Sequence, residues 1–372
     1  MHKTLVLAFP VFALLVLAEF IYGWVRGRNT YRLNDAISSL SQGLLSQVVA
    51  VFTRLFQIGL YSMVYRHLAF FPSQAFWITW EGWVAAIVFF DFCDYWLHRM
   101  SHQSAILWAA HVVHHQSQDF NFSTALRQES AYMILGWVFY TPMAIIGVPP
   151  FIFGVTGLAV LLYQIWIHTE HIGKLGWFDF VFSSPSNHRV HHAINKQYID
   201  RNYGGLLVIW DRMFGSFVEE REPCVYGTRP LLQSWDPLWA VVSVYWALAK
   251  DVWFTRGLSN KMRVLLMPPG WKPEGNAYGR PAIGSGSLVR RYDPPMSRDA
   301  IWFSCLQFSF LLLVTAFLLW NAALLTSLQS GLLATFIIAG LWFLGGVIQG
   351  RLRIRHVLFI EILLIFFGLI FF

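Results

Sequence analysis

Residues 75–115, AFWITWEGWVAAIVFFDFCDYWLHRMSHQSAILWAAHVVHH, decide the fold of this chain. The first part, 75–97, is an apolar run that is long enough to cross the hydrocarbon core of a bilayer, for which a helix needs about 20 residues. His98 follows directly, and four more histidines follow by residue 115. The stretch therefore predicts a membrane helix whose end carries a cluster of histidines.

The composition of the whole chain agrees with a membrane protein. Of the 372 residues, 56% are hydrophobic and 13% are charged, whereas soluble domains carry about 25% charged residues. A soluble enzyme, a disordered protein and a small disulfide scaffold are therefore disfavoured. The three cysteines are far apart and odd in number, which also argues against a disulfide framework.

Apolar runs on both sides of this stretch bring the predicted number of membrane spans to about eight. Pro149 and Pro150 separate two of the runs and predict a helical hairpin there. The predicted spans are residues 5–24, 44–65, 75–97, 131–148, 151–167, 301–325, 331–349 and 357–372.

The basic residues orient these spans. If the span 75–97 ends in the cytoplasm, 24 of the 27 Lys and Arg residues lie on the cytoplasmic side, as the positive-inside rule requires. The net charge of +7 is thus explained by membrane topology. Because the basic residues form no single patch, a nucleic-acid partner is not expected.

The histidines are concentrated in one region. Ten of the 13 lie between residues 98 and 192: eight of these form the patterns HxxxH, HxxHH and HxxHH, and His168 and His171 lie between them. Residues three and four apart share one face of a helix, so each pattern presents its imidazoles to a common point. Imidazole is a ligand for Fe, Zn, Cu and Ni. Eight to ten nitrogen donors exceed one tetrahedral zinc site and suit two metals with four or five ligands each.

These observations predict an all-α fold, a polytopic membrane helix bundle with a cytoplasmic histidine-rich cap that holds two metals. The chain is expected to divide into N-terminal membrane helices (1–73), a catalytic region (74–220), a cytoplasmic or interfacial linker (221–300) and C-terminal membrane helices (301–372).

Several strings resemble the fatty acid hydroxylase/sterol desaturase superfamily of membrane di-iron oxygenases, and in particular its alkylglycerol-monooxygenase-like branch. They are NDAISSL (34–40), DYWLHRMSH (94–102), LWAAHVVHHQSQDFNFSTALRQ (107–128), IHTEHIGKLGWFDF (167–180) and NHRVHHAINKQYIDRNYGGLLVIWDRMFGSF (187–217). The resemblance covers about residues 34–220. It implies nine metal ligands: His98, His102, His111, His114, His115, His168, His188, His191 and His192.

The chain departs from the pattern of this superfamily at two positions. Many hydroxylases have a histidine four residues before the position of His168, where this chain has Gln164. The site therefore has either an open position or a weaker amide ligand there. His171 stands where the branch often has another residue, so the resemblance does not assign it as a ligand.

Two carboxylates are candidate catalytic residues that orient a ligand or handle a proton. Asp94 lies one turn before His98 on the same helix face, and Glu170 follows His168 in the string His-Thr-Glu. A ligating histidine usually donates its other N–H group to a carboxylate or a carbonyl. A helix cap or a surface charge is the ordinary alternative for each of them, and Glu170 is the favoured candidate.

The resemblance implies an O2-dependent di-iron monooxygenase that hydroxylates the alkyl or acyl chain of a membrane lipid. It implies two Fe and an external electron donor, either a protein or, as in the alkylglycerol branch, a tetrahydropterin. If the lipid is an ether, hydroxylation beside the oxygen cleaves it. A desaturase or an aldehyde-deformylating enzyme of the same superfamily is the first alternative. A zinc hydrolase or a metal carrier is the second, although a carrier places its ligands at mid-membrane.

Overall fold

Helices account for all regular secondary structure in the residues that the computed structural model describes, 2–72, 74–273 and 291–369. The first three helices are α1 (His2–Val25), α2 (Leu33–Leu68) and α3 (Gln74–Trp77). The central helices are α4 (Trp80–Gln103), α5 (Ala105–His115), α6 (Phe122–Ala125), α7 (Tyr132–Gly136), α8 (Thr141–Ile146), α9 (Pro150–Trp166), α10 (Phe178–Val181), α11 (Pro185–His192) and α12 (Ile209–Met213). The last five are α13 (Pro237–Phe254), α14 (Leu258–Leu266), α15 (Arg298–Asn321), α16 (Ser327–Ile348) and α17 (Ile354–Leu369). This confirms the predicted all-α fold.

Four segments within the described helices are long and apolar enough to cross a membrane: Val6–Val25, Leu33–Thr53, Arg298–Asn321 and Ser327–Ile348. By this measure the predicted number of about eight spans is too high. The predicted span 131–148 is wrong as a single helix, because it consists of α7, a 3₁₀ turn (Trp137–Tyr140) and α8. Pro142 lies in the first turn of α8. Because proline has no backbone N–H, it cannot donate the hydrogen bond to residue i−4 that would continue a helix from the preceding turn.

Two other predicted spans also differ from the structure. The span 75–97 is divided between α3 and α4, and α4 carries Asp91 and Asp94 in its middle. Gly82 allows the tight turn between these two helices, since a Cβ atom there would lie 2.2 Å from the carbonyl oxygen of Phe76. The span 357–372 corresponds to α17, and residues 370–372 lie outside the described part of the chain.

Two apolar cores surround the central helices. On one side, the rings of Phe90 in α4, Tyr61 in α2 and Phe153 in α9 pack together with Tyr140. On the other side, α2 packs against α15 and α16. The first core packs α4 against α2 and α9 and so fixes the position of its C-terminal turns.

The short helix α5 has one apolar face and one histidine face. Ala105 and Ala109 pack against Leu248 of α13 and Val264 of α14. The histidines of α5 are therefore left to face α4 and α11. These two packed helices belong to the region 221–300 that was predicted as a linker, and residues 274–290 of that region lie outside the described chain. The division into domains otherwise stays a prediction.

A buried carboxylate ties the first helix to the central part. Glu19 accepts hydrogen bonds from the hydroxyl groups of Tyr31 and Thr169 and from the backbone N–H of Phe122. Since Thr169 directly follows His168, this contact fixes α1 beside the histidine region.

Candidate metal centre

All nine histidines that were predicted as ligands meet in the interior. Eight of them lie near the C-terminal ends of α4, α5 and α11. The ninth, His168, lies two residues after the end of α9. Their nitrogen atoms form two groups, and within each group one ligand atom per residue lies within 4.8 Å of every other. The five-histidine cluster consists of His98, His102, His111, His115 and His191. The four-histidine cluster consists of His114, His168, His188 and His192.

Within each cluster the Nε2 atoms approach closely. In the five-histidine cluster, the Nε2 of His115 lies 3.0 Å from that of His111 and 3.2 Å from that of His191. In the four-histidine cluster, the Nε2 of His168 lies 3.2 Å from that of His114 and 3.0 Å from that of His188. Two neighbouring ligands at 90° around a metal, each at about 2.1 Å, are separated by about 3.0 Å. The observed distances fit this arrangement.

The opposite ring nitrogen, Nδ1, explains why Nε2 faces inward. Backbone carbonyl groups of Tyr203, Arg127, Gln164 and Arg201 lie 2.7–3.1 Å from Nδ1 of His98, His114, His168 and His191, respectively. A carbonyl only accepts, so Nδ1 carries the proton and Nε2 keeps its lone pair. Lone pairs that face one another repel unless a cation lies between them. In addition, the Nε2 atoms of His98 and His102 are buried without a hydrogen-bond partner. Both observations fit a metal ion in each cluster.

Burial also keeps the rings neutral, as ligands must be. Desolvation, reinforced by neighbouring imidazoles, lowers the pKa of His111, His115 and His191 well below the usual value. Desolvation lowers the pKa of His114 to about 4. At neutral pH these rings therefore offer lone pairs rather than protons.

The predicted catalytic residue Asp94 is linked to a histidine through one intervening residue, Gln164. Its carboxylate accepts hydrogen bonds from the hydroxyl of Tyr140 at 2.7 Å and from the side-chain amide of Gln164 at 3.3 Å. The backbone carbonyl of Gln164 in turn accepts from His168. Asp94 is thus connected to the four-histidine cluster through Gln164, whose role as an amide ligand stays a prediction.

The favoured carboxylate, Glu170, lies outside both clusters. It forms an ion pair with Arg28 at 3.3 Å and lines a cavity of about 90 Å³ whose wall includes Phe120. The neighbouring His171 contacts Thr30 and the ring of Tyr22 and belongs to neither cluster. This placement agrees with leaving His171 out of the ligand set, and the catalytic role of Glu170 stays a prediction.

Sequence reasoning missed the two carboxylates that contact ligands directly. Glu129 lies 2.7 Å from Nδ1 of His111, and Asp200 lies 3.2 Å from Nδ1 of His102. Burial raises the pKa of Glu129 to about 8, so this carboxyl group is ionised at neutral pH only when a nearby cation stabilises its charge. Glu129 stands 18 residues after its partner, and Asp200 lies in a loop at positive φ, so no helical spacing links either to a histidine.

A loop held by Asp211 supplies two of the carbonyl acceptors. The carboxylate of Asp211 accepts from the backbone N–H groups of Tyr203 and Gly204 and from the hydroxyl of Ser216, at 2.7–2.8 Å. This fixes the carbonyl of Tyr203 over His98. The clue in the sequence was only that Asp211 falls within a string that resembles the superfamily.

We predict that Asp211→Ala weakens metal retention about 10–100-fold, because the loop that orients His98 loses its anchor. The measurement is the rate at which the purified full-length protein loses metal to an excess of chelator. Glu219→Ala, which removes an exposed carboxylate paired with Lys174, is the matched control and should leave the rate unchanged. A wild-type rate in Asp211→Ala would contradict the anchoring role.

Comparison with known proteins agrees with this geometry. The profile of the fatty acid hydroxylase family matches residues 83–216, which include all nine histidines. Alkylglycerol monooxygenase of Danio rerio is 36% identical over 355 residues, which cover 92% of this chain and 77% of the relative. The chain belongs to the alkylglycerol monooxygenase family.

Other members of the alkylglycerol monooxygenase family match over similar lengths. The protein of Xenopus tropicalis is 34% identical over 349 residues, which cover 91% of this chain and 76% of the relative. The human protein is 38% identical over 278 residues, which cover 74% of this chain and 61% of the relative. No solved structure gives a significant match. Family membership makes the chain an oxidoreductase, and together with its four candidate spans it makes the chain an integral membrane protein.

Proposed function

We propose that the chain is a membrane-bound di-iron monooxygenase that uses O2 to hydroxylate an alkyl chain of an ether lipid. The observation that carries the proposal is the pair of buried clusters, five histidines and four, in a chain related to proteins named alkylglycerol monooxygenases. The reaction consumes one O2, two electrons and two protons, and it gives a hydroxylated carbon and water. Hydroxylation of the carbon beside the ether oxygen gives a hemiacetal, which collapses to an aldehyde and an alcohol.

The two clusters supply ligand sets for two irons, and bound iron would supply the means to activate O2. The protein side chains and carbonyl groups do the positioning. Carbonyl acceptors hold two histidine rings of each cluster in the tautomer that ligates, His98 and His191 in one and His114 and His168 in the other. Phe120, 1% exposed, stacks on His168 with ring centroids 5.4 Å apart and keeps water from that side of the four-histidine cluster.

We place the site on the cytoplasmic face, with the lipid chain entering from the bilayer. The distribution of basic residues supports this orientation, since 19 of the 27 Lys and Arg residues lie between the candidate spans Leu33–Thr53 and Arg298–Asn321, in the same part of the chain as the nine histidines. The histidines of α4 lie in its last two turns, beyond the apolar part of the helix. An external electron donor on that face completes the reaction, and by relation to the alkylglycerol monooxygenases we propose a tetrahydropterin.

The test is to load the purified protein with Fe(II) under argon and to supply O2, a tetrahydropterin and an alkylglycerol. We expect two Fe per chain, consumption of O2 and release of a fatty aldehyde. A new double bond would favour the desaturase alternative, and a shortened alkane would favour deformylation. Less than one Fe per chain without O2 uptake would contradict the proposal.

The proposed catalytic role of Glu170 gives a separate prediction. Glu170→Ala should retain metal, because this carboxylate contacts none of the nine ligands. It should lower turnover by about 100-fold if Glu170 moves a proton. Iron content and turnover are measured on the same sample, with Glu219→Ala as the control. Full activity would leave Glu170 as the surface partner of Arg28.

A further inference from the structure

Among the hydrogen-bond acceptors of the ligand histidines, Glu129 is the buried carboxylate. Its side chain is 11% exposed, and its Oε1 atom lies 2.7 Å from Nδ1 of His111. The other carboxylate in contact with a ligand, that of Asp200, is 55% exposed and lies at 3.2 Å from His102. Water screens the charge of Asp200, whereas little water reaches Glu129.

Among the described residues, no Lys or Arg forms an ion pair with Glu129. Its hydrogen-bond partner is the ring of His111, which is neutral when it ligates a metal. The ring of Tyr132 packs on His111 with centroids 5.4 Å apart. A buried carboxylate is costly unless a positive charge compensates it. A metal ion in the five-histidine cluster would supply this positive charge, because the Nε2 atom of His111 faces that cluster.

We infer that Glu129 is a positioning residue that fixes the ring of His111 and makes the five-histidine cluster the tighter of the two metal sites. The inference rests on the proposed metal centre but not on the identity of the lipid. A carboxylate that accepts from Nδ1 makes the imidazole a stronger donor at Nε2. The four-histidine cluster has carbonyl acceptors at His114 and His168 instead. The two sites therefore differ in ligand number and in the charge behind the ligands.

The experiment follows release of Fe(II) to an excess of chelator from the full-length protein in detergent. We expect two phases in the wild type, of which the slow phase belongs to the five-histidine cluster. His192→Ala, which damages the four-histidine cluster, should retain only the slow phase. Glu129→Ala should accelerate the slow phase about 10–100-fold and leave the fast phase unchanged.

Two further variants separate charge from geometry. Glu129→Gln keeps an oxygen acceptor but removes the charge, so it should accelerate the slow phase less than Glu129→Ala does. It should also shift the Mössbauer signal of one iron only, which a merely structural role would not do. Asp200→Asn should change the rate by less than about fivefold, because its carboxylate is exposed.

An unchanged slow phase in folded Glu129→Ala would overturn the inference, as would equal acceleration of both phases. If Glu129→Ala fails to fold by circular dichroism, Glu129→Gln decides in the same assay. A wild type that binds two Fe and turns over lipid while both Glu129 variants behave normally would refute only this inference. A wild type that binds no iron would refute the proposed function as well.

Discussion

His114→Ala is expected to lose the metal of the four-histidine cluster and to lose all measurable turnover while the protein still inserts into membranes. The Nε2 of His114 lies 3.2 Å from that of His168 and within the set of four nitrogens. Removal of one of four ligands leaves too few donors to hold the ion against water. Iron per chain should fall from two to about one. The measurements are metal content and turnover of the purified variant.

The matched control is His171→Ala. His171 is only three residues from the ligand His168 but contacts Thr30 and Tyr22 instead of a cluster. It should retain two Fe per chain and wild-type turnover. Retention of both metals and activity in His114→Ala would count against the assignment of the four-histidine cluster as a metal site.

Arg127→Met is expected to destabilise the protein by about 3 kcal/mol, because a buried acceptor that is left unpaired costs about 1–3 kcal/mol. Arg127 is 2% exposed. Its guanidinium group donates to the carbonyl of Val113, to the side chain of Gln116 and to the hydroxyls of Ser38 and Ser39. Methionine fills similar volume but leaves these acceptors unpaired in the interior. Thermal unfolding in detergent, followed by circular dichroism, measures the loss.

Arg127→Met should also weaken metal binding, since the guanidinium group of Arg127 anchors the segment whose backbone carbonyl orients His114. Arg221→Met is the control: Arg221 is 80% exposed in an ion pair with Glu219, so its loss should cost less than about 1 kcal/mol. Equal unfolding temperatures for the two variants would show that the buried contacts of Arg127 contribute little.

The histidine spacing predicted that each group of imidazoles converges, because the spacing that places side chains on one helix face is a local property, whereas the full set of nine ligands was implied by the resemblance to the superfamily. His98 and His102 share one face of α4, and His188, His191 and His192 share the last turns of α11. The bundle architecture was equally accessible from the apolar runs. The number of spans could not be predicted from the sequence, because an apolar run such as 131–148 can also form several short helices inside the protein.

The carboxylates around the histidines could not be placed from the sequence. Asp94 is on the expected helix but contacts Tyr140 and Gln164, which come from other parts of the chain. Glu129 reaches His111 through a loop whose path depends on Arg127 and on α2. Such contacts are set by tertiary packing, so spacing along the chain carries no signal for them.

The groups that accept hydrogen bonds from the histidine rings affect how such an enzyme can evolve. The rings of His98, His168 and His191 donate to peptide carbonyls. Every amino acid carries a peptide carbonyl, so mutation at the residues that provide these carbonyls changes a side chain but leaves the acceptor in place. His111 and His102 depend instead on side chains at positions 129 and 200, which a single codon change can remove. Genetic variation at these two positions can therefore alter the five-histidine cluster while the histidines that donate to peptide carbonyls keep their acceptors.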